Sequence, residues 1–272
     1  MYQTEKQKPY CWQIGNGPGV ICFHCSTGSS KQWQPLADLL SERFTVAGVD
    51  LYGYGKSPIW ISPKRLTLAD EAALIEPLLE RIDTPVTLVG HSYGGAVALS
   101  AAFHYADQIR NVIVYEPVLF NLLFDKLFDS VISEEISAVK RRVHEYLSDK
   151  LYGSAARMFI DYWSGYGAFD QLPEHYRNGI SSKMSKVLMD FEAAFNPDLT
   201  PDDIKKISLP ALLLYGQDSP SASRQVIHHL SETLPNAEIR GLIGMGHMGP
   251  VTHREQINEI IAGYLERSGS AS

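Results

Sequence analysis

The chain has 272 residues, 44% of them hydrophobic and 20% charged, which is enough apolar material for a large core. Its formal net charge is −7 at pH 7, so no basic surface is offered to nucleic-acid phosphates, and no uninterrupted apolar run reaches the roughly 18 residues of a membrane span. The polar stretch from Met1 to Lys8 lacks a signal-peptide core, and Cys11, Cys22 and Cys25 have no metal-ligand spacing, so the chain reads as a cytoplasmic protein with reduced thiols.

In chain order, Val20-Ile21-Cys22-Phe23 is an apolar strand entered from a Gly-Asn-Gly-Pro-Gly turn. Cys22 and Cys25 sit at the end of that strand rather than at a helix start, which disfavours a redox pair. A polar loop, His24-Cys25-Ser26-Thr27-Gly28, follows. Trp33, Leu36, Leu39 and Leu40 then recur at helical spacing. Residues 44–49 form the next strand, which ends in the tight loop Asp50-Leu51-Tyr52-Gly53-Tyr54-Gly55. Thr67 with Asp70 marks a helix start, and the pattern runs to about Ile82. Pro85 precedes the strand 86–89, and Gly90-His91-Ser92-Tyr93-Gly94 then opens a small-residue helix. Strand, sharp turn and helix are the context that makes G-x-S-x-G a nucleophile elbow. Residues 109–115 are another buried strand.

The rhythm changes after Glu116-Pro117. Residues 118–200 carry helical spacing throughout and many aromatics, among them Phe120, Phe124, Phe128, Phe159, Tyr162, Trp163, Tyr166, Phe169 and Phe195. This block reads as a helical insertion over the carboxyl edge of a sheet, where ligands bind in open α/β folds. Strands resume at 210–215 and 237–242, with helices from Thr200-Pro201, at 223–234, and after the capping pattern Thr252-His253-Arg254-Glu255. Strands alternating with helices give an α/β protein with a mostly parallel, doubly wound sheet. The expected organisation is a core of residues 1–117 and 201–272, with 118–200 inserted as a helical cap.

A serine hydroxyl needs a base within hydrogen-bond reach, and the base needs an orienting acid. After the elbow, Asp218 follows the strand 210–215, and His247 follows 237–242 in the Gly-rich loop Gly244-Met245-Gly246-His247-Met248. The motifs His24-Cys25-Ser26-Thr27-Gly28, Asp50-x-x-Gly53-x-Gly55-x-Ser57, Gly90-His91-Ser92-Tyr93-Gly94-Gly95, Gly216-Gln217-Asp218 and Gly246-His247-Met248 span nearly the whole chain. In that order they resemble the α/β-hydrolase fold superfamily, in its branch with a helical cap and a serine nucleophile.

The resemblance implies Ser92 as nucleophile, His247 as general base and then acid, and Asp218 as orienting acid. Glu116, which ends the strand after the elbow helix, is the alternative acid. The implied oxyanion hole is the backbone N–H of Tyr93 with that of Ser26. Cys25 stands where the family usually has glycine, so Cys25 is the alternative donor. His24 and His91 read as structural hydrogen-bonders, His228 and His229 as surface residues and His253 as part of a helix start. Asp50 reads as a tie for its own loop, and Gly53 and Gly55 do not form a nucleotide-binding pattern.

A serine at the elbow implies acyl transfer without metal or organic cofactor, on a small to medium, largely apolar ester, thioester or lactone. Two rivals stand beside it. One is a carbon–carbon bond hydrolase with the same triad, for which Arg157 or Arg177 would hold a substrate carboxylate. The other is a slow-turnover ligand receptor. The expected partner is a small-molecule substrate, with the chain a monomer or homodimer.

Overall fold

The computed structural model describes residues 8–124 and 130–269; Phe128 and residues 1–7 lie outside them. Among the described residues, seven strands form one sheet: β1 (Cys11–Ile14), β2 (Gly19–Phe23), β3 (Thr45–Val49), β4 (Val86–His91), β5 (Ile109–Tyr115), β6 (Ala211–Gly216) and β7 (Ala237–Leu242). Their order is β1-β3-β2-β4-β5-β6-β7, parallel throughout except for the β1–β3 pair. The elbow strand β4 is thus central, flanked by β2 and β5.

Side-chain alternation feeds two cores. Ile21, Phe23, Leu88, Val112, Val114 and Leu213 face one, packed with α4 (Tyr93–His104) and α11 (Ser221–Thr233). Val20, Cys22, Val89, Ile113, Leu212 and Leu214 face the other, beneath α1 (Gln34–Leu40) and α13 (Arg254–Gly269). Burial on both faces is why these strands read as continuous apolar runs rather than as alternating ones.

Three local outcomes differ from the sequence expectation. Strand β1 was not foreseen: it is four residues long, half-exposed and antiparallel at the sheet edge. The helix expected from Thr67 to Ile82 is broken into α2 (Leu68–Ala72), a 3-10 turn and α3 (Glu76–Leu79), because Pro77 cannot continue the ladder. Its start is as expected, a reciprocal capping box between Thr67 and Asp70. The pattern at 252–255 does not cap α13. Thr252 instead ends the one-turn α12 (Gly249–Thr252), and its hydroxyl donates to the Met248 carbonyl.

Among the described residues between β5 and β6 every regular element is helical. A 3-10 turn leads to α5 (Ser130–Ser148), α6 (Tyr152–Ser164), α7 (Ala168–Gln171), α8 (Glu174–Ser181) and α9 (Met184–Phe195); α10 (Pro201–Lys205), capped by Thr200 and Asp203, returns the chain to the sheet. Phe120, Phe159, Trp163 and Phe191 of this stretch are buried and pack on one another, whereas Tyr166 is fully exposed. No described helix is long and apolar enough to cross a membrane.

Candidate active site

Ser92 sits between β4 and α4 with φ 57° and ψ −120°, a conformation L residues rarely adopt. Close packing on both sides sets this turn. A Cβ on Gly90 would lie 2.4 Å from the Gly94 carbonyl oxygen, and one on Gly94 would lie 2.4 Å from that of His24. The Ser92 N–H donates to the Tyr115 carbonyl at 2.9 Å, which ties the turn to the end of β5.

His247 reaches the serine from the loop after β7. Its Nε2 lies 2.9 Å from Ser92 Oγ. Its Nδ1 lies 2.6 Å from a carboxylate oxygen of Glu116. With Nδ1–H donating to the carboxylate, Nε2 is free to accept the serine proton.

The acid on His247 is therefore Glu116, and the expectation of Asp218 is corrected. Asp218 is exposed on the wall of an outer cavity, and its backbone N–H donates to the Met245 carbonyl at 2.9 Å. The next residue, Ser219, points inward and donates its hydroxyl to Glu116. The turn after β6 thus aims residue 219, not 218, at the centre. Glu116 is fully buried, at φ 45°, and also accepts the Gly216 N–H at 2.8 Å. Burial opposes its charge, but the bonds from His247, Ser219 and Gly216 outweigh burial and hold the carboxyl below its ordinary range. In the sequence Glu116 stands as the alternative acid; that β5 is the sheet neighbour of β4, which favours it over Asp218, is not visible there.

Supporting side chains lock the loop. His91 Nε2–H donates to the His247 carbonyl at 2.8 Å, while its Nδ1 accepts from Gln32 at 3.0 Å. Burial, with His247 alongside, pushes the His91 pKa well below the usual histidine value. The Tyr115 hydroxyl donates to the Gly246 carbonyl at 2.7 Å. His24 donates from Nδ1 to the Cys25 carbonyl at 2.7 Å and accepts the Leu51 N–H at 3.0 Å. Asp50 ties its loop as expected, accepting the N–H groups of Ser30 and Lys56.

Ser92, Ser26 and Tyr93 line a small cavity of about 20 Å³ together with Asp190 and a mostly apolar wall that includes Val118, Phe120, Phe159, Trp163 and Phe191. That is room for roughly one water. Tyr93 opens α4, where a backbone N–H has no partner four residues earlier in its own helix. The alternative donor, the Cys25 N–H, is taken by the Gln32 side chain at 3.2 Å. Behind His247 lies a far larger cavity of about 600 Å³, lined by Tyr162, Trp163, Asp218, Ser219 and Met248. Among the described residues no cluster of three or more His, Cys, Asp and Glu side chains could hold a metal ion.

Comparison with known proteins agrees with this architecture. The model of the alpha/beta hydrolase family matches residues 20–260. An uncharacterized hydrolase, YugF of Bacillus subtilis, is 25% identical over 264 residues, covering 91% of this chain and 89% of that protein. A putative carbamate hydrolase, RutD of Pantoea ananatis, is 27% identical over 248 residues, covering 89% and 86%. Among solved structures, an esterase from Exiguobacterium antarcticum superposes with a TM-score of 0.78 at 19% identity, covering 95% of each chain.

Proposed function

We propose that this chain, which belongs to the alpha/beta hydrolase family, is a serine hydrolase acting by acyl transfer on esters with a short, apolar acyl group. The observation that carries this reading is the unbroken hydrogen-bond chain from Ser92 Oγ through His247 to Glu116, opening on an apolar pocket. His247 takes the serine proton as Ser92 attacks the carbonyl, Glu116 stabilises the imidazolium that results, and His247 then protonates the leaving group. The oxyanion is received by the N–H groups of Tyr93 and Ser26. Water repeats the sequence on the acyl-enzyme.

The two cavities divide the labour. The cramped space at Ser92 suits a short acyl chain, and the wide cavity on the His247 side suits the alcohol, since the residue that protonates a leaving group must face it. The helical stretch 118–200 acts as the cap that walls the acyl pocket. A carbamate, the substrate class named for one relative, undergoes the same acyl transfer.

The cations that the carbon–carbon hydrolase reading would use are engaged elsewhere. Arg157 and Arg177 both pair with Asp170 on the surface. Lys186 approaches the pocket, but Glu71 and Asp190 take its charge.

The test is intact mass after fluorophosphonate treatment, on wild type and Ser92→Ala, beside a p-nitrophenyl ester panel from acetyl to octanoyl. A single adduct lost in Ser92→Ala, with kcat/KM highest at the short chains, is expected. An adduct with negligible turnover moves the reading to a receptor. No adduct overturns the triad.

A further inference from the structure

A buried ionic cluster borders the pocket, and one of its members, Asp190, forms part of the pocket wall. Lys186 on α9 sits between Glu71 of α2, at 2.9 Å, and Asp190, one turn along its own helix. All three side chains are at most 8% exposed. Lys186 Nζ also lies over the rings of Tyr54 and Tyr93, at 4.6 and 4.8 Å from their centroids. Asp190 Oδ2 accepts two further bonds at 2.6 Å, from the hydroxyls of Tyr54 and Ser26. Apolar replacements of such buried ion pairs are often as stable as the charges or more so, which makes stability a weak reason for this cluster.

Its contacts converge on one loop. Ser26 is gripped by Asp190 through its hydroxyl, and the next residue, Thr27, is gripped through its carbonyl by Lys183 at 2.7 Å. Lys183 immediately precedes α9. Thr27 has φ +64°, so the loop is held in a conformation that its own residues disfavour. The same helix presents Lys186 to the ring of Tyr93, the other oxyanion donor of the reading above.

We infer that Asp190 is a positioning residue: anchored by Lys186, it clamps the Ser26 hydroxyl and so fixes the Ser26 N–H where an oxyanion would form. The inference rests on the serine-hydrolase reading for its catalytic consequence, but not for the clamp itself. Asp190 lines the pocket, but both of its carboxylate oxygens are taken by Lys186, Tyr54 and Ser26, so it acts through Ser26. An oxyanion donor works by preorganisation, and displacing one loses much of its effect on kcat while leaving ground-state binding nearly intact.

The experiment compares wild type, Asp190→Ala, Asp190→Asn, Ser26→Ala and the double variant Ser26→Ala/Asp190→Ala. Ser26→Ala removes one oxygen and keeps the N–H, so it guards against a misfolded Asp190 variant. Steady-state kinetics on p-nitrophenyl acetate are measured beside amide hydrogen exchange of the 24–28 loop and thermal unfolding. The expected result is a kcat loss of about tenfold or more in Asp190→Ala and Ser26→Ala, with KM within about threefold and faster loop exchange in both. Asp190→Asn should retain part of the activity, and the double variant should be no worse than the worse single one. Losses that multiply in the double variant, or a lowered Tm with kcat and exchange unchanged, overturn the inference. If wild type turns over no ester, the serine-hydrolase reading fails, and loop exchange alone decides the clamp: unchanged exchange in Asp190→Ala and Ser26→Ala refutes it, and faster exchange sustains it.

Discussion

The indole of Trp163 lies stacked on the imidazole of His247, with ring centroids 4.0 Å apart and planes 28° from parallel. Trp163 is also the residue that lines both cavities, the cramped one at Ser92 and the wide one behind His247. It is therefore both a wall and an electronic neighbour of the imidazolium. A cation on a tryptophan face gains about 0.5–2 kcal/mol. Trp163→Ala should lower kcat on p-nitrophenyl acetate by about 2- to 30-fold. The same change joins the two spaces, so kcat/KM for octanoyl esters should rise relative to acetyl. A variant with unchanged chain-length preference would show that Trp163 is no partition.

The two candidate acids can be separated by one pair of variants. Glu116→Gln preserves shape but lets His247 settle in the wrong tautomer, and kcat should drop by about 10³–10⁴. Asp218→Asn touches an exposed side chain and should leave kcat within about twofold. The reverse ranking of the two would return the acid to the loop after β6.

Burial drives the His24 pKa down from 6.5 to about 4, against the opposing pull of its bond to the Cys25 carbonyl and of Asp50. The native ring stays neutral between those two values while the unfolded chain takes up a proton. Stability is thus fully present above about pH 6.5 and falls as pH drops towards 4, by about 1.4 kcal/mol per pH unit or about 3 kcal/mol in all. His24→Gln should lower stability at pH 7.5 yet flatten its decline. Urea unfolding at pH 7.5 and pH 5 should show a drop about 2 kcal/mol smaller in the variant than in wild type. Equal drops would mean that His24 is not a buried neutral ring.

Cys25 and Cys22 are buried thiols, and desolvation pushes both pKa values up, Cys25 to about 12. Neither presents thiolate at neutral pH. Iodoacetamide at pH 8 should therefore alkylate the native chain at the half-buried Cys11 alone, and all three cysteines in urea. Rapid native labelling of Cys25, read by peptide mass, would contradict this burial.

The elements with a strong local signature were legible in the sequence. Strands β2 to β6 carry apolar runs long enough to be buried on both faces, and the glycines around Ser92 mark a turn too crowded for a side chain. What was not legible depends on which strands and helices become neighbours. Glu116 and Asp218 both follow a strand, and only the β4–β5 pairing together with the inward turn of Ser219 selects between them. Lys186 and Asp190, spaced four apart, resemble an ordinary solvated helix pair until Glu71 and the rings of Tyr54 and Tyr93 close over them. Strand β1 was missed because four half-exposed residues at an edge carry little hydrophobic signal. The partition by Trp163 required the end of α6 to meet a loop 84 positions further along the chain.

With the acid at the end of a central strand, the loop after β6 is relieved of carrying charge to His247. Ser219 still supports Glu116, but Gln217, Asp218 and Ser221 owe the triad nothing through their side chains, and two of them face the wide cavity. Variation can therefore accumulate there without silencing the nucleophile. On the serine-hydrolase reading, a library confined to positions 217, 218 and 221 would sample new alcohol preferences while leaving Ser92, His247 and Glu116 in place, which makes the stretch between β6 and the start of α11 the natural place for a change of substrate.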